Sequence, residues 1–245
     1  MARRSDGQLL CIKAVQAEKF PGEKAADLLT EVEVLRLLDG HPHIIGFNGA
    51  FLEGSTLSIV LEFADNGTLA DLIERRRERN APLRENQVVD VLVQLLSALQ
   101  HLHTHGVVHR DIKPSNIFFD ARQLVRLGDF GIATILTDSH PPAKTKFLGT
   151  PLYVSPEAIE GRPLGLKSDM WALGVVLYEL VALRPPFAAE NLVALALAIT
   201  GGRFEPLPSA VGLKQAAAAE SSLAPSLAAG AGSYSEQARP PPVRP

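Results

Sequence analysis

The sequence predicts an α+β fold in which a small strand-rich lobe is followed by a larger helical lobe. In the first part of the chain, short apolar runs of strand length lie between turn residues, and they occupy residues 8–15, 44–52 and 56–63. Apolar residues recur with the period of a helix in the segments predicted to be helical, which are 25–38, 87–105, 168–183 and 189–199. The change from strand-length apolar runs to helical periodicity predicts a hinge near residues 62–67.

Turn signals separate the elements of the small lobe. The run QLLCIKAV follows a Ser-Asp-Gly turn signal and is therefore assigned to a strand. Glu53-Gly54-Ser55 separates the next two strands, and Asp65-Asn66-Gly67 ends the last of them. One face of the intervening helix carries Leu28, Val32, Leu35 and Leu38.

The helical lobe is predicted to be built around one buried helix. Segment 168–183 is apolar on nearly all sides, which is typical of a fully buried helix. After Pro206 the sequence consists mainly of Ala, Ser, Pro and Gly, which bury too little apolar surface to offset the entropy of ordering. We therefore predict a small lobe at 1–63, a large lobe at 64–206 and a disordered, low-complexity tail at 207–245.

Composition excludes several classes of protein. The chain has 245 residues, a net charge of −3 and one cysteine, so bulk attraction to nucleic acid, an intrachain disulfide and a thiolate zinc site are not expected. No apolar run approaches the roughly 18 residues of a membrane helix, and the N-terminus lacks the apolar core of a signal peptide. These observations indicate a soluble intracellular protein that neither binds nucleic acid nor inserts into a membrane.

Short motifs then indicate the chemistry. HRDIKPSN at 109–116, DFG at 129–131 and SPE at 155–157 resemble the catalytic loop, the metal-binding triplet and the end of the activation segment of eukaryotic protein kinases. Upstream, CIK at 11–13 resembles the motif of the third-strand lysine, and DMWALG at 169–174 resembles the buried helix that anchors the catalytic loop. The segments LGDFGIA, GTPLYVSPE and KSDMWALGVVLYEL are most similar to the NIMA-related serine/threonine kinases. The resemblance implies the bilobal kinase fold, with ATP and Mg²⁺ as cofactors.

The same resemblance assigns the catalytic and metal-binding roles. It implies that Asp111 accepts or orients the proton of the substrate hydroxyl and that Lys113 reaches the γ-phosphate. Asn116 and Asp129 would hold Mg²⁺ through oxygen atoms. A lysine at 113, together with Thr150, resembles the branch of the family that is specific for serine and threonine.

The nucleotide would be held by both lobes. By resemblance, Lys13 contacts the α- and β-phosphates and pairs with Glu31 in the following helix. The residues that would stack into an apolar column between the lobes are Leu35, Phe47, His109 and Phe130.

Adenine recognition is expected to use backbone groups of the hinge. The carbonyl of Glu62 and the amide of Ala64 would face the base, with Leu61 as gatekeeper. Cys11 and Phe118 would sandwich the ring.

Regulation is also implied by the resemblance. Arg110 directly precedes Asp111, an arrangement that responds to a phosphate on the activation segment. Thr145 is the predicted acceptor, with Thr137 and Ser139 as alternatives.

Other conspicuous residues are expected to have structural roles. Asp169 is predicted to cap the backbone of the catalytic loop. His101, His103 and His105 alternate along a helix, which scatters them over different faces, so metal binding is not expected.

The chain departs from the kinase pattern at both ends. No glycine-rich phosphate loop precedes Lys13, so we expect an incomplete small β-lobe and a partial large lobe. The arginine that usually pairs with the glutamate of the SPE motif should follow residue 206, so we expect Glu157 to lack its partner.

Two functions are therefore open. The first is a protein serine/threonine kinase that transfers the γ-phosphate of ATP to hydroxyl groups of protein substrates. The second is a truncated, catalytically impaired kinase-like module that binds partners or competes with a full-length kinase. The resemblance implies a cytoplasmic location, with links to the cytoskeleton, the centrosome or the cilium.

Overall fold

A computed structural model describes residues 2–3, 7, 9–16, 23–136 and 150–207. It confirms the predicted α+β class, with a strand-rich lobe followed by a helical lobe. The predicted tail at 207–245 lies outside the described residues, apart from Leu207.

The small lobe is an antiparallel sheet with one helix. Its strands, in the spatial order β1-β2-β4-β3, are β1 (Ala2–Arg3), β2 (Leu9–Gln16), β3 (Phe47–Glu53) and β4 (Thr56–Glu62). Exposed and less exposed residues alternate along β2, as expected for a strand with one face toward the core. Helix α1 (Glu23–Leu38) follows β2 and buries Val34, Leu35 and Leu38.

The large lobe consists of helices and short hairpins. The helices are α2 (Leu69–Glu78), α3 (Glu85–Thr104), α4 (Pro156–Ile159), α5 (Leu166–Ala182) and α6 (Leu192–Thr200). The strands form two antiparallel pairs, β5 (Val107–Val108) with β8 (Thr134–Ile135), and β6 (Ile117–Phe119) with β7 (Val125–Leu127). The 3-10 turns are Pro114–Asn116 and Pro151–Tyr153.

Side chains that cap the helices set their first residues. Thr68 accepts a hydrogen bond from the amide of Asp71, whose carboxylate accepts one from the amide of Thr68, so α2 begins with a capping box. Asn191 accepts a hydrogen bond from the amide of Ala194 and starts α6. The prediction that this last helix begins at residue 189 was therefore too early.

One predicted strand is also shorter than the sequence indicated. The apolar run at 44–52 was assigned wholly to a strand, but β3 begins only at Phe47. The amide of Ile45 donates to the carbonyl of Leu127, and the amide of Leu127 donates to the carbonyl of His43. The first residues of the run thus pair with β7 of the large lobe, a non-local contact that local patterns do not encode.

The main apolar core extends from α1 through the short strand pairs to α5. It contains Leu35 and Phe130, and Phe47 packs at its edge. The ring of His109, which is fully buried, lies 4.9 Å from that of Phe130. The four residues expected to form an apolar column therefore belong to one packed region.

Helix α5 is mostly buried, but not wholly as predicted. Within the predicted segment 168–183, Met170 is 45% exposed, and Leu166, one turn before it and outside that segment, is 37% exposed. In the described part of the chain, no helix is long and apolar enough to cross a membrane.

A group of histidines joins the segment after α1 to helix α3. The ring of His41 stacks on that of His101 at 4.7 Å, and His105 lies 4.5 Å from His101. The Nδ1 atom of His41 accepts a hydrogen bond from the amide of His43, so the neutral ring carries its proton on Nε2, 3.3 Å from Oγ of Ser97. Burial lowers the pKa of both His41 and His101, and neighbouring histidines lower it further.

These histidines predict a loss of stability in mild acid. Because the pKa values of His41 and His101 in the folded chain lie below the ordinary value of 6.5, the unfolded chain binds the protons more tightly. Stability is therefore fully present above about pH 6.5 and decreases as the pH falls below it. We expect thermal unfolding measured at about pH 7.5 and about pH 5.5 to show a smaller decrease in melting temperature for His101→Gln than for the wild type. An equal decrease in melting temperature would contradict the assignment of this pH dependence to His41 and His101. The remaining dependence would then come from groups present in both proteins, such as buried His109, whose pKa is also lowered.

Candidate active site

The carboxylate of Asp169 organises the loop that carries the candidate catalytic residues. Its side chain is 1% exposed, and its two oxygens accept hydrogen bonds from the consecutive amides of His109 and Arg110, each at 2.9 Å. His103 lies 3.0 Å from Oδ2 of the same carboxylate. Arg110 has a φ of +69°, a conformation that is unfavourable for a side chain with a Cβ atom, and the two hydrogen bonds hold it there. The predicted structural role of Asp169 is confirmed.

Asp111, the next residue, lies at the centre of a set of donors. Its Oδ2 atom is 2.7 Å from Nζ of Lys113 and 3.0 Å from Nδ2 of Asn116. Nδ2 of Asn116 also donates to the backbone carbonyl of Asp111 at 2.9 Å. Oγ1 of Thr150 lies 3.4 Å from Oδ1. A carboxylate held in this way presents its remaining lone pairs in a fixed direction.

Lys13 connects the two lobes at the same site. Its Nζ atom lies 2.7 Å from Oε1 of Glu31 on α1 and 3.1 Å from Oδ1 of Asp129 in the segment after β7. Burial alone would lower the pKa of Lys13, but the hydrogen bond and charge of Glu31, helped by Asp129, raise it. Burial would raise the pKa of Asp129, but Lys13 holds it below its usual value. Lys13 and Asp129 therefore remain charged near neutral pH.

The oxygens available next to this ion pair suit a magnesium ion. Both donors of the buried Asn116 amide are used on Asp111, which leaves its Oδ1 atom as an acceptor. Asp129 adds a carboxylate that is 45% exposed. Hard oxygen ligands of this kind, completed by phosphate and water, are what Mg²⁺ prefers. No described group of three or more His, Cys, Asp or Glu side chains could hold a metal ion by itself.

The hinge residues lie at the end of β4, beside the strands that would enclose a base. Leu61 pairs with Cys11 across the sheet, and the amide of Glu62 donates to the carbonyl of Gly46 at 2.8 Å. Within the described residues, the amide of Ala64 makes no hydrogen bond, so it is available to a ligand. Phe118 lies on β6, and the predicted base-contacting residues thus reach the site from both lobes.

The structure describes Arg110 but not the predicted phosphate acceptors of the activation segment. Thr145, Thr137 and Ser139 lie outside the described residues. Arg110 donates from NH1 to Oγ1 of Thr134 at 2.7 Å.

Glu157 has a partner other than the usual arginine. Oγ of Ser168 donates to its Oε1 atom at 2.6 Å. Burial would raise the pKa of Glu157, but the hydrogen bond from Ser168 lowers it. The serine of α5 thus satisfies the carboxylate, and the position of the usual arginine, after residue 206, lies outside the described residues.

Sequence reasoning missed a polar cluster beside the catalytic loop. The hydroxyl of Tyr153 donates to Oε2 of Glu179 at 2.6 Å, and NH2 of Arg77 lies 3.7 Å from Oε1. These residues line a pocket of about 300 Å³ that also reaches Lys113 and Thr150. Glu179 is a second buried acid on α5, besides Asp169, and a charged residue among apolar neighbours was the available signal.

The histidine run on α3 is split between two surroundings. His103 contacts Asp169 of α5, whereas His101 and His105, one turn apart, share a face with His41. The alternation predicted the separation of His103 but not the stacking of the other two.

Comparison with known proteins decides the family. The protein kinase domain family matches residues 1–206. The chain belongs to the protein kinase family.

Its curated relatives are NIMA-related serine/threonine kinases. It is 45% identical over 206 residues to serine/threonine-protein kinase Nek8 of Danio rerio, covering 84% of this chain and 29% of the relative. It is 41% identical to Nek2 of Mus musculus, covering 84% of this chain and 48% of the relative. It is 40% identical to Nek5 of Homo sapiens, covering 83% and 28%. The kinase chain thus spans less than half of the length of each of these relatives.

The role of Asp169 can be tested by a substitution of equal size. Asp169→Asn leaves one acceptor oxygen for two amides and places an NH₂ group against the other, so a buried donor loses its partner. We expect the free energy of unfolding, measured by urea denaturation, to fall by about 1–3 kcal/mol. Asp90→Asn, at an exposed position on α3, is the matched control and should change little. Equal stabilities of the two variants would contradict the assigned role.

Proposed function

We propose that the chain transfers the γ-phosphate of ATP to serine and threonine hydroxyls of protein substrates. The observation that carries this proposal is the position of Lys13, which contacts Glu31 of the small lobe and Asp129 of the large lobe at once. Phosphoryl transfer depends on positioning and electrostatic stabilisation, and this pair of contacts assembles the phosphate-binding groups from both lobes.

The nucleotide is proposed to lie between β2, the hinge and β6. The Glu62 carbonyl and the free amide of Ala64 bind the adenine, and Phe118 packs against the ring. Lys13 neutralises the α- and β-phosphates while Glu31 keeps its ammonium in place. Asn116 and Asp129 would hold Mg²⁺, which would neutralise part of the phosphate charge.

The acceptor hydroxyl is proposed to approach Asp111. The carboxylate orients the hydroxyl and accepts its proton as the hydroxyl oxygen bonds to the γ-phosphorus and the bond between that phosphorus and the departing ADP breaks. Lys113, 2.7 Å from Asp111, offsets the charge that develops on the transferred phosphoryl group. The contact of Thr150 with Asp111 supports a serine/threonine acceptor, since this arrangement resembles that branch of the family.

Regulation and location are proposed on the family resemblance. Arg110 would pair with a phosphate on the activation segment, with Thr145 as the acceptor. The partners would be ATP and proteins rather than nucleic acid. The NIMA-related kinases support a cytoplasmic location with links to the cytoskeleton, centrosome or cilium.

Asp111→Asn tests the catalytic assignment. The amide keeps the shape of the side chain but cannot take a proton, so we expect Mg²⁺-dependent phosphate transfer from ATP to a generic protein substrate to fall by at least about a hundredfold. Asp90→Asn is again the control and should retain the wild-type rate.

Two outcomes separate the alternatives. Equal transfer rates for the wild type and Asp111→Asn would contradict the kinase proposal. A wild-type chain that binds Mg-ATP, shown by a thermal shift, but transfers no phosphate would support a kinase-like binding module instead.

A further inference from the structure

An arginine outside the proposed catalytic set lies where three segments of the chain meet. Arg126 is the middle residue of β7, and its side chain is 19% exposed. The Nη2 atom of its guanidinium lies 3.0 Å from Oδ2 of Asp120 and 3.3 Å from Oε1 of Glu62. The Nη1 atom donates to the carbonyl of Pro42. One guanidinium therefore joins the hinge, the loop after β6 and the segment between α1 and β3.

The contact with Glu62 acts on a residue proposed to bind adenine. The other carboxylate oxygen of Glu62, Oε2, accepts a hydrogen bond from the amide of Gly46 at 3.0 Å, and the amide of Glu62 donates to the carbonyl of Gly46 at 2.8 Å. Side chain and backbone of Glu62 are thus both tied to the same glycine. The guanidinium completes this arrangement by fixing the free oxygen, so the direction of the Glu62 carbonyl depends on it.

The segments around Glu62 are closely packed. A Cβ atom added to Gly46 would lie 3.3 Å from Oε2 of Glu62, so the Glu62 side chain would have to shift by a few tenths of an ångström. Phe118 lies directly opposite Arg126 in the β6–β7 register, and opposed residues of an antiparallel pair point to the same face. Arg126 is therefore adjacent to both proposed sides of the base site, the hinge and the floor.

The charges indicate that an arginine is specifically needed here. Two carboxylates with side-chain exposures of 22% (Glu62) and 11% (Asp120) face one cation, and the planar guanidinium reaches both of them and a carbonyl at the same time. The ammonium of a lysine is a single point charge and does not have this fork. Asp120 is itself fixed by the amides of Arg122 and Leu124, each 2.9 Å from its Oδ1 atom. The large-lobe end of the link is rigid, so it can set the position of Glu62.

We propose that Arg126 is a positioning residue for the nucleotide, which sets the hinge through Glu62 and thereby the affinity for ATP. It is not a catalytic residue, because its contacts within the described residues are with Glu62, Asp120 and Pro42 rather than with Lys13, Asp111 or Asp129. The inference rests on the proposed kinase function, since it requires adenine to bind at the hinge.

The test separates binding from chemistry. Arg126→Met removes the charge and keeps the length of the side chain, and Glu62→Gln removes the other half of the pair. Each should raise the dissociation constant of Mg-ADP, measured by calorimetry, and the KM for ATP by about three- to tenfold. For Arg126→Met, the kcat should stay within about twofold of the wild type, because the groups around the phosphates are unchanged.

Coupling and a matched control complete the test. Arg126→Met combined with Glu62→Gln should raise the dissociation constant no more than the larger single effect, as expected for partners in one interaction. Arg126→Lys should recover part of the affinity. Arg122→Met, an exposed position on the same hairpin, should leave both constants unchanged.

Several results would overturn the proposal. A folded Arg126→Met chain with wild-type affinity for Mg-ADP would do so, as would additive effects in the double variant or a loss confined to kcat. Should Arg126→Met fail to fold, the near-isosteric Glu62→Gln decides by the same constants. A wild-type chain that binds no Mg-ADP would instead contradict the proposed function itself.

Discussion

The site depends on two hydrogen bonds that one buried carboxylate accepts from consecutive backbone amides. Asp169 projects from α5, the most buried helix of the large lobe, and holds the backbone of His109 and Arg110. The left-handed conformation of Arg110 is unfavourable on its own, so it persists only because its surroundings determine it. The turn that results directs Asp111 toward Lys113, Asn116 and Thr150. Packing in the core thereby sets the direction of one functional carboxylate, whose side chain is mostly buried.

A second constraint holds the two lobes in register. Residues 43–45 belong by sequence to the small lobe, yet their backbone pairs with β7 of the large lobe. Arg126 adds a charged contact along the same line, and the stacked rings of His41 and His101 add an apolar one. The segment after α1 is thus fixed to the large lobe, while the sheet beyond it is connected through the hinge. Lys13, which lies on that sheet, can meet Asp129 because these contacts set the position of the lobes.

Local patterns were sufficient for most elements and for the motif-bearing residues. Helix and strand periods are properties of adjacent residues, so α1, α3, α5 and the strands on either side of Gly54 could be placed to within a few residues. The contacts of Asp169 could be anticipated because a motif fixes both the acid and the loop it holds. The kinase motifs also brought together residues far apart in the chain, such as Lys13 and Asp129.

The contacts that could not be anticipated join side chains with no shared motif. The carboxylate of Glu157, which was expected to lack its usual arginine, is satisfied by Ser168, a nearby hydroxyl; a hydrogen-bond donor in reach is enough for a half-buried acid. The sequence predicted a role for the backbone carbonyl of Glu62, but it did not predict the ion pair between the Glu62 side chain and Arg126. Such pairings depend on the distances between side chains in the folded protein, which a single sequence does not give.

The ion pairs of the site differ in how readily they can exchange partners. The carboxylate of Glu31 is 3% exposed, whereas Asp129, the other partner of Lys13, is 45% exposed. Separating Lys13 from Glu31 would leave a buried acid without its cation, which is costly, whereas Asp129 can turn to water or to a metal ion. When phosphates arrive, Lys13 can therefore keep Glu31 and release Asp129. The same lysine is then free on one side for the proposed nucleotide, and the carboxylate it gives up is the one proposed to hold Mg²⁺ beside Asn116.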